Sequence, residues 1–161
     1  MKSIILFRHG RPNNGGFTPD HDRPLASDGI SDAKKMGLYL AGENQIPDLV
    51  ISSTAFRAKT TAEVAMAEGK WPCTLELNAG IYGGNPLFLL RLSNFQDNSL
   101  SSICFVGHEP TFSTFIALLT DNYHQRFSKG SMAMIDFNVK SWKEIKMASG
   151  CLIWQVDPDE V

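Results

Sequence analysis

The sequence has little of what would place it in most functional classes at sight. Its 161 residues hold three cysteines, Cys73, Cys104 and Cys151, far apart in the chain. An odd, scattered set makes no disulfide framework and no Cys-x-x-Cys pair. No His-x-x-x-His pair is present either, so a zinc motif is missing and no metal is expected. The net charge is −2 and no block of Lys and Arg interrupts it. That removes the basic footprint of a nucleic-acid binder and the polybasic patch of a membrane-surface protein. No apolar stretch approaches the length that spans a bilayer. The first apolar run is too short for the core of a signal peptide. These absences together predict a soluble, cytoplasmic chain with reduced thiols, Cys104 and Cys151 being buried in apolar strand-like runs. Two phosphate-handling signatures are also missing. There is no Gly-x-x-x-x-Gly-Lys loop, and no cysteine is followed six positions later by arginine.

What is present is a globular composition with a regular alternation of elements. With 43% hydrophobic residues the chain can bury a core, and residues 1–161 read as one domain. No repeat, low-complexity tract or linker divides it. Ile4-Ile5-Leu6-Phe7 reads as a buried strand. The polar loop from Arg11 to Pro24 is long for a compact domain, which marks a lid or binding loop. Ser27 is expected as an N-cap, and Ile30, Ala33, Met36 and Leu40 recur at helical spacing. A strand near Leu49 to Ser52 precedes a helix carrying Ala58, Ala62 and Ala65, which ends before Gly69. Thr74 to Leu77 reads as a short strand, Pro86 to about Phe95 as a helix, and Ile103 to Val106 as a strand. Pro110 suits the first turn of a helix through Phe112, Phe115 and Leu119. Ser131 to Phe137 and Cys151 to Val156 alternate enough for strands. The fold class that follows is α/β: a three-layer α/β/α sandwich, its central sheet mostly parallel, with helices on both faces and an antiparallel edge.

Three segments place chemistry where these strands end. Arg8-His9-Gly10 follows the first strand, Arg57 lies just beyond the second, and Gly107-His108-Glu109-Pro110 follows the strand at Ile103. In open α/β sheets, ligands bind outside the carboxyl ends of strands. Two arginines and two histidines gathered there form a pocket for a dianion. The planar guanidinium forks of Arg8 and Arg57 match two oxygens at once. Neutral imidazole is a nucleophile near neutral pH, and flanking arginines disfavour its protonation, which makes His9 the candidate nucleophile. Gly10 is expected at the phosphate, and a protonated His108 would be a third cationic donor. Each has a plainer reading: a surface cation for Arg8 or Arg57, a hydrogen-bonded loop histidine for His9 or His108. Glu109 reads as a first-turn helix carboxylate. His21 and His124 read as structural or exposed, His21 lying in the loop that borders the site.

The three segments, with Arg23-Pro-Leu-Ala-Ser-Asp-Gly29 leading into the first long helix, resemble the histidine phosphatase superfamily, the phosphoglycerate-mutase-like fold. The resemblance covers nearly the whole chain, and its short length resembles the compact branch of SixA-type phosphohistidine phosphatases. It implies a covalent phosphohistidine on His9, phosphoryl oxygens held by Arg8, Arg57 and His108, and no cofactor. Larger members carry a carboxylate proton donor after the third strand. The matching stretch here is Glu76-Leu77-Asn78-Ala79-Gly80-Ile81-Tyr82, where Ala79 or Asn78 stands at that position; a three-residue shift would make Glu76 the general acid. Asp20 and Asp22, on the long loop, are further carboxylates able to swing in.

Cleaving a phosphate ester expels an alkoxide that needs a proton from a positioned acid. A phosphohistidine releases imidazole, a better leaving group that can do without one. The leading expectation is therefore a phosphatase acting on phosphohistidine in a protein. The alternatives are an enzyme acting on a small phosphorylated metabolite, as phosphomonoesterase or mutase, and a non-catalytic phosphate-binding module.

Overall fold

The computed structural model of the protein describes residues 1–121 and 126–161. Its centre is one six-stranded sheet, of strands β1 (Lys2–Arg8), β2 (Leu49–Ser52), β3 (Thr74–Leu77), β4 (Ser102–Gly107), β5 (Met132–Phe137) and β6 (Gly150–Val156). Their order across the sheet is β3-β2-β4-β1-β5-β6. β1 to β4 run parallel, whereas β5 and β6 add an antiparallel edge. Four helices connect them: α1 (Ser27–Gly42), α2 (Phe56–Gly69), α3 (Pro86–Asn94) and α4 (Thr111–Thr120). This is the mixed, mostly parallel α/β architecture expected from the sequence. Among the described residues, no helix is long and apolar enough to cross a membrane.

The pleat of the central strands divides the core into two layers. Ile4, Leu6, Ile51, Ile103 and Phe105 pack with Leu89 of α3 and with Phe112, Phe115 and Leu119 of α4. Their sequence neighbours Ile5, Phe7, Val50, Cys104 and Val106 pack with Met36 and Leu40 of α1 and the small residues Ala58, Ala62 and Ala65 of α2. Both faces of β1 are thus covered, which is why it reads as a continuous apolar run. The α1–α2 contact is close because Gly37 faces the Ala65 backbone; a Cβ there would stand 2.1 Å from the Ala65 carbonyl oxygen. Replacing Gly37 would push the two helices apart.

Three local expectations are corrected. Ala26, not Ser27, is the N-cap of α1, and no side chain caps that end. Pro110 caps α4 rather than lying inside it. Cys151 is exposed, not buried, because β6 is an edge strand whose alternate residues face solvent; Cys104 is buried as expected. His124 lies outside the described residues.

Candidate active site

The topology makes a crevice at one place. The chain leaves β1 toward α1 on one face of the sheet and leaves β4 toward α4 on the other. Adjacent parallel strands whose connections diverge in this way open a gap at their carboxyl ends. His9 follows β1 and His108 follows β4, and the backbone bond from His9 N–H to the Gly107 carbonyl, 3.1 Å, ties the two strand ends together. The imidazole centroids are 5.2 Å apart. Arg57, in the first turn of α2, joins them from the end of β2. Arg8, His9, Arg57 and His108 line one cavity of about 590 Å³ with Tyr82 and Thr111. A larger cavity, about 710 Å³, adjoins it and shares Arg8 and Glu109. The larger space lacks His9 and His108, so the chemistry belongs to the smaller one.

His9 is buried and held in one tautomer. Its Nδ1 lies 2.7 Å from the Gly10 carbonyl oxygen. A carbonyl only accepts, so Nδ1 carries the proton and Nε2 keeps its lone pair. Burial, reinforced by His108, Arg57 and Arg8, pushes the His9 pKa down to about 3 against the pull of the Gly10 carbonyl. The imidazole is therefore neutral at ordinary pH.

Gly10 does a different job from the one expected. Its N–H donates to Thr61 Oγ1 at 3.1 Å, and that hydroxyl donates to the Arg57 carbonyl at 2.7 Å. The N–H is thus committed to α2 rather than open to a phosphate. Glycine is required there because a Cβ would come within 2.8 Å of the Gly29 carbonyl oxygen.

His108 also departs from expectation. Its Nε2 lies 2.8 Å from Ser53 Oγ. Burial and then the Arg57 guanidinium push its pKa down to about 4, with Asp20 opposing. In the free site it is a neutral hydrogen-bonding group, not a third cation. The cations are the two arginines. Arg8 donates through Nη1 to the Phe127 carbonyl at 2.8 Å, while its buried Nε has no partner among the described residues. Arg57 donates to the Asp20 carbonyl at 2.7 Å and to Asp20 Oδ2 at 3.1 Å.

The proton-donor candidates separate cleanly. Glu76 is exposed on the edge strand β3 and does not line the cavity, and neither do Asn78 and Ala79. Glu109 accepts from the Ser113 N–H and hydroxyl, both at 2.7 Å, as a helix-end carboxylate. Asp20 does reach the site: Tyr82 Oη donates to its Oδ2 at 2.7 Å. That bond, together with Arg57, holds the Asp20 carboxyl below the usual range, so it is ionised. His21 comes with it, its Nε2 2.9 Å from Thr54 Oγ1 and its ring edge-on to Tyr82.

Tyr82, Thr61, Ser53 and Thr54 are site residues that the sequence did not single out. Hydroxyl residues have no spacing signature, and these come from the β2–α2 loop, from α2 itself and from the stretch between β3 and α3.

Comparison with known proteins identifies the family and the fold. The family model of the histidine phosphatase superfamily (branch 1) matches residues 4–82. An uncharacterised protein of Mycobacterium tuberculosis is 31% identical over 112 residues, covering 70% of this chain and 68% of its own. Among solved structures, a protein provisionally assigned as phosphohistidine phosphatase SixA from Nakamurella multipartitia superposes with a TM-score of 0.86 at 24% identity, covering 98% of this chain and 96% of that one. The protein histidine phosphatase SixA complexed with tungstate gives 0.82 at 21% identity, over 98% and 97%. The chain belongs to the histidine phosphatase superfamily, branch 1, and its fold is the one these SixA structures share.

Proposed function

We propose that the protein is a phosphohistidine phosphatase working through His9, with phosphohistidine in another protein as its substrate. His9 Nε2 attacks phosphorus in line, the bond to the leaving imidazole breaks, and the phosphoryl group passes to His9. Water then attacks that phosphohistidine, releasing inorganic phosphate and restoring the free imidazole. Arg8 and Arg57 neutralise the equatorial oxygens. His108 donates a hydrogen bond to them and gains a proton more readily once a dianion is beside it. The cytoplasm remains the expected compartment.

One observation carries the choice of substrate. The cleft offers no free carboxylic acid among the described residues: Glu76 stands outside it, the Glu109 carboxylate accepts from the Ser113 N–H and hydroxyl, and Asp20, which takes the Tyr82 hydroxyl and the Arg57 guanidinium, is held ionised. An alkoxide leaving group would be left without a proton donor, whereas imidazole leaves without a strong one. The charged cavity adjoining the site, about 710 Å³, gives room for a few side chains flanking a phosphohistidine. The likeness to SixA structures supports the same reading.

The test is a rate comparison on a phosphohistidine protein and a simple phosphomonoester from about pH 5 to 8. Strong preference for the P–N substrate is expected. Comparable ester hydrolysis with an acidic limb would mean that a carboxylic acid does donate, and the small-metabolite phosphatase would replace this reading. Turnover of neither substrate, with no acid-labile phosphate acquired by the protein, would leave a phosphate-binding module.

A further inference from the structure

Arg57 is already occupied. Both terminal nitrogens of its guanidinium bond to one residue, Nη1 to the carbonyl oxygen of Asp20 and Nη2 to its carboxylate. The two partners differ in freedom. Arg57 is 8% exposed, fixed on the first turn of α2, and cannot leave the cleft. The Asp20 side chain is 54% exposed and sits on a short turn, Asp20–Asp22, within the long polar loop. The backbone bonds of that turn, from Asp22 N–H to Pro19 and from Arg23 N–H to Asp20, stay inside the loop. What ties the turn to the body is the Asp20 carbonyl and carboxylate on Arg57, the Asp20 carboxylate on Tyr82, and His21 on Thr54. A carboxylate and a carbonyl oxygen side by side present to the fork what two phosphoryl oxygens would present. One guanidinium edge cannot serve both pairs.

We propose that Asp20 is an internal competitor for the phosphoryl-binding fork of Arg57, so that a dianionic oxyanion displaces it and releases the turn Asp20–Asp22 from the cleft. The proposal rests on the functional reading only for the placing of a phosphoryl group on Arg57. It makes Asp20 a specificity-determining residue. A ligand that offers only a carboxylate gains nothing over the carboxylate already bound. A phosphoryl group gains Arg8 and His108 as well, and so wins the exchange. Opening of the loop is then coupled to arrival of the correct group.

The experiment uses the full chain and tungstate as the probe. Its affinity is measured calorimetrically for the native protein and for Asp20→Asn and Asp20→Ala, and backbone hydrogen exchange over residues 18–23 is followed with and without tungstate. Removing a half-exposed competitor should tighten tungstate binding about two- to fivefold in both variants. In the native protein, tungstate should speed exchange over residues 18–23. Unchanged or weaker binding in both variants overturns the proposal, and so does native exchange that tungstate leaves unaltered. Absence of tungstate binding by the native protein would instead remove Arg57 from the phosphoryl site and take the functional reading with it.

Discussion

Two corners of the cleft are built from the same kind of contact and to opposite effect. At the His9 corner, the bonds run from His9 Nδ1 to the Gly10 carbonyl, from the Gly10 N–H to Thr61, and from Thr61 to the Arg57 carbonyl. All are buried and all use backbone or a short hydroxyl. At the Asp20 corner, the bonds end on a half-exposed carboxylate carried by a loop. Buried bonds have no water to replace them and lock a geometry, whereas exposed ones exchange with solvent at little cost. The nucleophile is thus aimed before substrate arrives, while the anion clamp is closed on a group that can be displaced.

Removing the imidazole at the rigid corner has the largest expected effect. His9→Ala should lower turnover by at least about a thousandfold, as loss of a covalent nucleophile does. Circular dichroism should show the fold retained. Near-normal turnover in that variant would end the proposed mechanism. Arg57→Ala empties the other corner and should cost about a hundredfold or more in kcat/KM. It should also weaken tungstate inhibition; unchanged inhibition would show that Arg57 does not hold the oxyanion.

Gly10→Ala tests the rigid corner without touching the reacting atoms. The new Cβ would press on the Gly29 carbonyl, and the backbone shift should cost about 1–3 kcal/mol of stability in denaturant titration. It should also lower kcat through misaim of His9 more than it raises KM. A rate equal to the native one would mean the Gly10 turn does not aim the nucleophile.

The last effect is on stability against pH rather than on turnover. His9 and His108 have pKa values of about 3 and about 4 in the folded protein, below the ordinary histidine value. Between those values and about 6.5, the unfolded chain binds more protons than the folded one. Stability should therefore fall as pH drops through that window, by up to about 1.4 kcal/mol per pH unit for each histidine. His108→Asn should flatten the slope measured by thermal melts from about pH 6.5 to 4. An unaltered slope would mean that His108 titrates normally.

Much of the frame was legible because it is written in local pattern. A strand buried on both faces must be apolar throughout, and Ile4 to Phe7 is. The central strands, the four helices and the Arg8, His9, Arg57 and His108 set could be found in this way, since each lies at a strand end or in the helix turn that follows. The errors lie where burial or partners come from elsewhere in the chain. Cys151 looked buried because its run is apolar, but an edge strand has a solvent face. His108 looked like a cation because the pocket is phosphate-like, but the burial that forms the pocket also neutralises it. Gly10 looked like a phosphate ligand, yet its N–H was claimed by Thr61, which is distant in sequence.

The sequence by itself determined the alternation of strands and helices, the two-sided core and the residue types delivered to the strand ends. Those depend on hydrophobic periodicity and on turn residues, which act over a few positions. Only the tertiary structure decided that Asp20 stands on Arg57, that Tyr82 stands on Asp20, and that Glu76 is left outside. Those pairings depend on how three connections of different length fold back over one sheet edge, and periodicity carries no information about distances across that edge.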